Sequence, residues 1–261
     1  MQKDYVPVDT SVREIDEAAF VEQYWTAQWR DRGRPVDVSR VGQREEYRIM
    51  RPFLDRLAGG SRILDGGCGT GEWTAFLSER GFKVVGVDIS EQTVQRLREW
   101  FPHLEFLRAD LRHTAFESAS FDAYFSWGTF EHFESGLGGC LAEARRLIKP
   151  GGWLFVSVPF HNWRLILRDS LGRERQDERP QRFYQWRLTR PELRRELELH
   201  GFEVHTIEPI AKQTGAGRML QWDLPLFAKG SRLYNAATRA LAGTLPGSYL
   251  AHMIMAVARR R

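Results

Sequence analysis

The chain has 261 residues, long for one domain and short for two, and a 42% hydrophobic, 12% aromatic composition that fits a folded globular protein and excludes intrinsic disorder. Thirty-eight basic against 34 acidic residues leave a formal charge of +4, a small excess that disfavours a nucleic-acid partner. Two cysteines, Cys68 and Cys140, exclude a disulfide framework and point to a reducing, cytoplasmic location, and no apolar run is long enough for a transmembrane segment.

Residues 1–43 are read as an N-terminal cap segment, in which Phe20, Tyr24 and Trp25 stand at helical spacing within a helix at 20–29, and residues 44–261 as one domain. From about residue 44 helical periodicity alternates with short apolar runs, the pattern of βαβ units around a mostly parallel sheet. Tyr47, Met50, Phe53, Leu54 and Leu57 recur at three and four residues, and Gly59-Gly60 stops this helix before a first strand at 62–65. Strands are predicted next at 83–88, 104–109, 121–127 and 153–159, with helices at 73–80, 91–100 and 137–148 between them. Ser90 is the candidate N-cap of the second helix, and Lys149-Pro150-Gly151-Gly152 ends the third. Residues 160–189 break the rhythm and read as a lid-like insertion rich in Arg and aromatics. A helix at 190–200, a strand at 202–207, mixed helix and loop over 209–251 and a strand at 252–258 bring the count to seven strands.

Gly67, Gly69 and Gly71 follow a strand and precede a helix, so the backbone can turn tightly and approach a nucleotide. A phosphate-binding P-loop needs Lys and then Ser or Thr after its last glycine, but Glu72 and Trp73 stand there. A dinucleotide fingerprint needs its third glycine where Glu72 or Thr74 stands. Asp65 and Glu72 further disfavour a pyrophosphate at the helix N-terminus, and suit a phosphate-free ligand that carries positive charge. Asp88 ends the second strand 21 residues after Gly67, at the place of an acid that accepts from ribose hydroxyls. Asp110 ends the third, where it could meet an adenine amino group beside Leu111, although an isolated acid at a strand end is as readily a helix cap.

Asp65-Gly66-Gly67-Cys68-Gly69-Thr70-Gly71, Val87-Asp88, Ala109-Asp110-Leu111, the fourth strand and Leu147-Ile148-Lys149-Pro150-Gly151-Gly152, in this order and spacing, resemble class I S-adenosylmethionine-dependent methyltransferases, in particular the group labelled type 11. The match runs from about residue 63 to residue 159, with Gly66 as the one small departure, since a branched or other small residue is common there. The resemblance implies an α/β fold: a Rossmann-like, doubly wound seven-stranded sheet, mostly parallel, with helices on both faces and an antiparallel last strand inserted between the fifth and sixth. It implies S-adenosyl-L-methionine as cofactor, held by Asp65, Gly66, Gly67, Cys68, Gly69, Gly71, Asp88, Ile89, Asp110, Leu111 and Trp127.

Ligands in open α/β sheets bind beyond the carboxyl ends of the strands, so the acceptor is expected near the loops after strands four and five. The first of these, Trp127-Gly128-Thr129-Phe130-Glu131-His132-Phe133, lacks the Asn/Asp-Pro-Pro-aromatic tetrapeptide of enzymes that methylate exocyclic base amines. His132 is a candidate general base, Glu131 a group that orients it or the acceptor, and His161 a further candidate after strand five; packing is the competing explanation for each. The insertion sets Phe160, Trp163, Phe183, Tyr184 and Trp186 among Arg164, Arg168, Arg173, Arg175, Arg179, Arg182 and Arg187, a mixture able to clasp an anionic or sugar-bearing acceptor. Asp169, Glu174, Asp177 and Glu178 favour instead a lid with internal salt bridges. Residues 219–251, with Leu220, Trp222, Leu224, Leu226 and Phe227 near Lys229, Arg232 and Arg239, could face a membrane or a partner subunit, and core or dimer packing is the preferred reading.

No metal is expected, because no His/Cys/Asp/Glu cluster has ligand spacing. The expected activity is methyl transfer to a small-molecule acceptor, at a hydroxyl of a glycan, lipid-linked or secondary metabolite. An RNA methyltransferase, a non-catalytic S-adenosylmethionine-binding protein and an NAD-dependent oxidoreductase are the alternatives, and the oligomeric state is left open.

Overall fold

The computed structural model describes residues 1–8, 15–30, 37–172 and 180–261. In chain order the elements are β1 (Gln2–Pro7), α1 (Glu17–Arg30), α2 (Glu45–Leu54), β2 (Arg62–Gly66), α3 (Glu72–Ser78), β3 (Lys83–Asp88), α4 (Glu91–Trp100), β4 (Glu105–Arg108) and β5 (Phe121–Trp127). There follow α5 (Gly138–Leu147), β6 (Ile148–Pro159), α6 (Trp163–Ser170), β7 (Gln181–Arg187), α7 (Arg190–Leu199), β8 (Phe202–Ile210), α8 (Lys212–Trp222), α9 (Arg232–Thr244), α10 (Gly247–Leu250) and β9 (Met253–Arg260).

Seven strands form one sheet in the order β4-β3-β2-β5-β6-β9-β8. β2 through β6 pair in parallel, and β9 lies antiparallel between β6 and β8. This is the mostly parallel, Rossmann-like α/β sheet that the resemblance implies, with its last strand inserted as expected. Its central strands are buried on both sides and therefore read as continuous apolar runs. Successive residues still separate by face. Leu64, Val85 and Val87 join the core built with Leu141 and Leu147 of α5 and Leu193 and Leu197 of α7. Ile63, Val84 and Phe125 join the core built with Met50 and Leu54 of α2 and Phe76 and Leu77 of α3.

Local chemistry fixes the helix starts. Ser90 Oγ accepts from the Thr93 amide at the N-terminus of α4, and Thr189 forms a reciprocal capping box with Glu192 at the start of α7. Strand β6 begins five residues earlier than the predicted 153, because Ile148 already pairs with Phe121 before the register shifts and resumes at Ala123 and Trp153.

The larger departure is β1. It pairs antiparallel with β7 in a separate two-stranded sheet, where Asp4 accepts hydrogen bonds from Arg187 and Gln185. The stretch 160–189 therefore contributes α6 and a strand that docks on the N-terminus. Arg173, Glu174, Arg175, Asp177, Glu178 and Arg179, invoked for a charged lid, lie outside the described residues, as do residues 9–14 and 31–36 of the cap segment.

Gly66 has a steric reason. A Cβ there would overlap the Tyr124 ring, which is fully buried and whose hydroxyl lacks a hydrogen-bond partner among the described residues. The large residue on β5 fills the space that a side chain on β2 would take. Gly66→Ala is expected to lower stability by about 1–3 kcal/mol through overpacking, with most of that penalty vanishing in a Tyr124→Leu background. Urea unfolding of the double-mutant cycle measures this, and equal penalties in both backgrounds would contradict the steric account.

Candidate functional site

Strand order reverses between β2 and β5, so the chain diverges there and leaves a crevice beyond the carboxyl ends. The glycine loop forms its floor. The amides of Gly67 and Cys68 donate to the Val87 carbonyl at 2.8 and 2.9 Å, and the Gly69 amide donates to Asp88 Oδ2 at 3.0 Å. Gly67 and Gly69 have φ of 80° and 51°, in the left-handed region that favours glycine. Space demands them as well: a Cβ on Gly67 would overlap Thr129, and one on Gly69 would stand 3.0 Å from Trp29 Cζ2.

The cavity above this floor is lined by Gly67, Asp88, Ile89, Leu111, Trp127, Gly128, Thr129, His132, Phe133 and, from α1, Val21, Trp25 and Trp29. Of the residues expected at a cofactor, Gly67, Asp88, Ile89, Leu111 and Trp127 line it. Asp65, Gly66, Cys68, Gly69 and Gly71 shape the strand end and loop that carry it. Asp110 does not line it. Its carboxylate accepts from Arg112 Nε at 3.1 Å, from Nη2 at 2.7 Å and from the Arg112 amide at 2.9 Å. Burial pushes this carboxyl up, but the Arg112 bonds outweigh that and hold it below its ordinary value. The guanidinium occupies the acid that was expected to meet an adenine amine.

The charge balance of the crevice is acidic. Asp65 is buried and accepts from Thr74 Oγ1 at 2.7 Å; burial first, with the nearby Asp88 and Glu72 charges adding, pushes its pKa up to about 7. Burial also raises Asp88. Glu72 pairs with Arg44, whereas neither aspartate has an ion-pair partner among the described residues. A cation bound nearby would relieve the repulsion between them. Two further buried polar atoms, the indole N–H of Trp127, which can only donate, and Oε2 of Glu131, have no hydrogen-bond partner among the described residues.

The aromatic roof comes from α1, which polar contacts at several points fasten down. Thr26 and Ser90 hydroxyls meet at 2.6 Å, Glu22 pairs with Arg108 at 2.9 Å, Glu17 with Arg112 at 2.6 Å, and Arg96 donates to the Trp29 carbonyl at 2.9 Å. Trp25 and Trp29 stack with centroids 5.4 Å apart. Helical spacing of the aromatics is the signal for this roof in the sequence. Thr129 and Gly128 carried no such signal.

His132 faces the cavity from the loop after β5. Its Nδ1 lies 2.7 Å from the Tyr184 carbonyl, and because a carbonyl oxygen only accepts, Nδ1 carries the proton and Nε2 keeps its lone pair. Burial lowers its pKa to about 4. Trp25 and Tyr184 hold the ring edgewise and tilted at 4.9 and 5.0 Å. The orienting group is thus a backbone carbonyl of β7 rather than Glu131. Oε1 of Glu131 is 3.9 Å from Nε2, and burial pushes that carboxyl up to about 8. His161 does not line the cavity; Nε2 is 3.0 Å from Asp169 Oδ2, which places it in an ion-pair cluster with Arg168.

Residues 42–207 match the family described as Methyltransferase domain. A probable S-adenosylmethionine-dependent methyltransferase from Mycolicibacterium smegmatis is 29% identical over 158 residues, covering 60% of this chain and 58% of that one. The ubiquinone biosynthesis O-methyltransferase of Paracidovorax citrulli is 32% identical over 130 residues, covering 47% and 54%. The chain thus spans a little over half the length of these curated relatives. Among solved structures, the 1,6-didemethyltoxoflavin-N1-methyltransferase of Burkholderia thailandensis, bound to its acceptor and S-adenosylhomocysteine, shares the fold with a TM-score of 0.59 at 20% identity over 99% of this chain and 96% of that one. No helix among the described residues is long and apolar enough to cross a membrane.

The two buried groups after β5 should set opposite limbs of a stability profile. His132 drops from 6.5 to about 4 on folding, so the unfolded chain binds the proton more tightly and stability is lost as pH falls from 6.5 towards 4. Glu131 rises from 4.5 to about 8, so the folded chain binds the proton more tightly and stability falls as pH climbs from 4.5 through 8. Thermal melts across this range should show His132→Gln flattening the acid limb and Glu131→Gln the alkaline limb. An unchanged acid limb in His132→Gln would refute the buried, neutral imidazole.

Proposed function

The chain belongs to the class I S-adenosylmethionine-dependent methyltransferases, and from this premise we propose that it transfers a methyl group to a hydroxyl of a small-molecule acceptor, a glycan, lipid-linked or secondary metabolite. The observation that carries the proposal is the cavity itself: buried Asp88 on one side, with buried Asp65 behind the glycine loop and neither paired to a cation among the described residues, His132 on the other, and Trp25 and Trp29 closing it above. Two acids suit the sulfonium and ammonium of S-adenosylmethionine, which when bound supplies an electrophilic methyl group. The O-methyltransferase of Paracidovorax citrulli supports oxygen as the receiving atom.

In this reading Asp88 accepts from the ribose hydroxyls, Ile89 and Leu111 pack against the base, and the loop of Gly66, Gly67, Cys68, Gly69 and Gly71 lets the backbone approach closely. Asp65 braces that loop through Thr74 and adds negative potential. Trp127 lines the cavity and has an indole N–H without a hydrogen-bond partner among the described residues, a donor available to a ligand acceptor. Residues 1–43 act as a cap on the domain at 44–261, with Val21, Trp25 and Trp29 excluding water from the reacting atoms. His132, neutral and aimed by Tyr184, takes the proton of the acceptor hydroxyl at Nε2. Asp110 and His161, which do not line the cavity, are given no role in this reading. A roof this close to the glycine loop favours a small acceptor over RNA.

Turnover of methyl-labelled S-adenosylmethionine with panels of hydroxylated metabolites, glycans, lipids and tRNA tests the proposal. His132→Gln should lower kcat roughly 10²–10⁴-fold while cofactor affinity stays close to that of the parent; unchanged turnover would remove His132 as the base. Asp88→Ala should weaken cofactor binding by the worth of one or two charge-assisted hydrogen bonds, about 1.5–3 kcal/mol each. Calorimetry reads that loss, and tight NAD binding in place of S-adenosylmethionine would overturn the reading as a whole.

A further inference from the structure

Ten large hydrophobic side chains stand exposed among the described residues, and seven of them fall in two short stretches: Trp163, Leu167 and Leu171 at α6, and Trp222, Leu224, Leu226 and Leu233 from the end of α8 to the start of α9. The first three recur every four residues and so form one stripe on α6, whose opposite side is anchored by buried Leu165 and by the Asn162 cap. The two stretches meet. Arg164 pairs with Asp223, and Leu167, Leu171 and Trp222 border a single shallow depression with them. Leu167, Leu171 and Trp222 thus share one exposed apolar surface, with Trp163 on the same helix stripe and Leu224 and Leu226 next along the chain, and such a grouping marks a contact surface.

Charge identifies the occupant. Residues 212–252 contain Lys212, Arg218, Lys229, Arg232 and Arg239 against the single acid Asp223; five minus one equals the formal +4 of the whole chain. The acids of this face are already neutralised, Asp223 by Arg164 and Asp169 by Arg168. Lys212 and Arg239 line a neighbouring groove together with Glu45 and Glu46, whereas Lys229 and Arg232 stand in the sequence between Leu226 and Leu233. The Arg218 guanidinium sits 5.2 Å from the Trp222 ring. Helix α9 buries no residue at all. A second copy of the chain would bring like charges together on this face. An anionic bilayer takes both components at once, since leucines and indoles enter the acyl boundary while the cations stay among the headgroups.

We propose that the face formed by α6 and the α8–α9 connection docks on an anionic phospholipid bilayer. Its position adds meaning to the contact. α6 follows the carboxyl end of β6 and α8 that of β8, which runs parallel to β6 because both are antiparallel to β9. The docking face and the cavity therefore share one edge of the sheet, and the docked chain presents its cavity beside the lipid surface.

Co-sedimentation of the full chain with phosphatidylcholine vesicles, with and without phosphatidylglycerol, tests the proposal without any need for turnover, so its failure leaves the proposed methyl transfer untouched. Vesicles containing phosphatidylglycerol should carry the chain down, pure phosphatidylcholine far less, and added salt should release it. Trp163→Glu with Leu167→Glu, and separately Lys229→Glu with Arg232→Glu, should each lower partitioning roughly tenfold or more with an unchanged Tm, since all four side chains are exposed. No binding to either vesicle, equal binding to both, or indifference to both variants would overturn the proposal. So would a dimer in sedimentation velocity that these variants dissolve, because the face would then belong to a second copy.

Discussion

The site depends on the buried carboxylate of Asp88. One oxygen accepts from the Gly69 amide and the other from the Ser90 amide, both at 3.0 Å, so a single side chain fixes the glycine loop to the end of β3. Ser90 passes the constraint on, since its hydroxyl caps α4 through Thr93 and meets Thr26 of α1. Loop, strand, capped helix and roof are thereby held in one hydrogen-bonded chain. Removing the carboxylate would orphan two buried amides, each costly in a low dielectric. The same group is proposed to bind the ribose, so the fold and the cofactor compete for its lone pairs, of which a carboxylate has enough for both.

Electrostatics explains why the crevice suits a cationic ligand and not a phosphate. Phosphate loops leave amides uncompensated at a helix N-terminus. Here the loop amides are spent on Val87 and Asp88, and buried Asp65 and Asp88 raise one another's cost of ionisation. The surrounding arginines are engaged elsewhere, Arg44 by Glu72, Arg112 by Asp110 and Glu17, and Arg108 by Glu22. What lies nearest the cavity is net negative potential enclosed by aromatic walls.

Much of this was legible in the sequence where the signal is local. Strands β3 and β5 and helix α4 begin and end where apolar runs and the Ser90 cap place them, because a strand buried on both faces and a capped amphipathic helix are each specified by adjacent residues. Gly67, Asp88 and Leu111 fell at the cavity for the same reason, being strand ends of a regular sheet. Long-range pairing was not legible. β1 has one side chain in contact with solvent after another and becomes a strand only because β7, some 180 residues away, supplies its hydrogen bonds. The sequence also did not announce that Arg112, two residues on, folds back onto Asp110, the acid expected near an adenine. The partner that orients His132 is a main-chain carbonyl, which no side-chain pattern can announce.

That carbonyl ties the His132 side of the cavity to the N-terminal strand. Tyr184 belongs to β7, β7 pairs with β1, and Tyr184 also packs against Tyr24 of α1 with ring centroids 5.2 Å apart. The orientation of His132, one contact of the roof and the docking of the N-terminal strand therefore meet at Tyr184 and β7. The cofactor floor, by contrast, is built wholly from β2, β3 and the loop between β2 and α3. The separation is complete only for β1 and β7, which share no hydrogen bond with Asp88 among the described residues; α1 reaches the Asp88 network through Thr26 and Ser90, so changes there bear on both sides of the cavity. In the proposed reading, the groups that face the acceptor come largely from α1 and β7, segments that lie outside the regular alternation of strand and helix, where the sequence pattern is weakest.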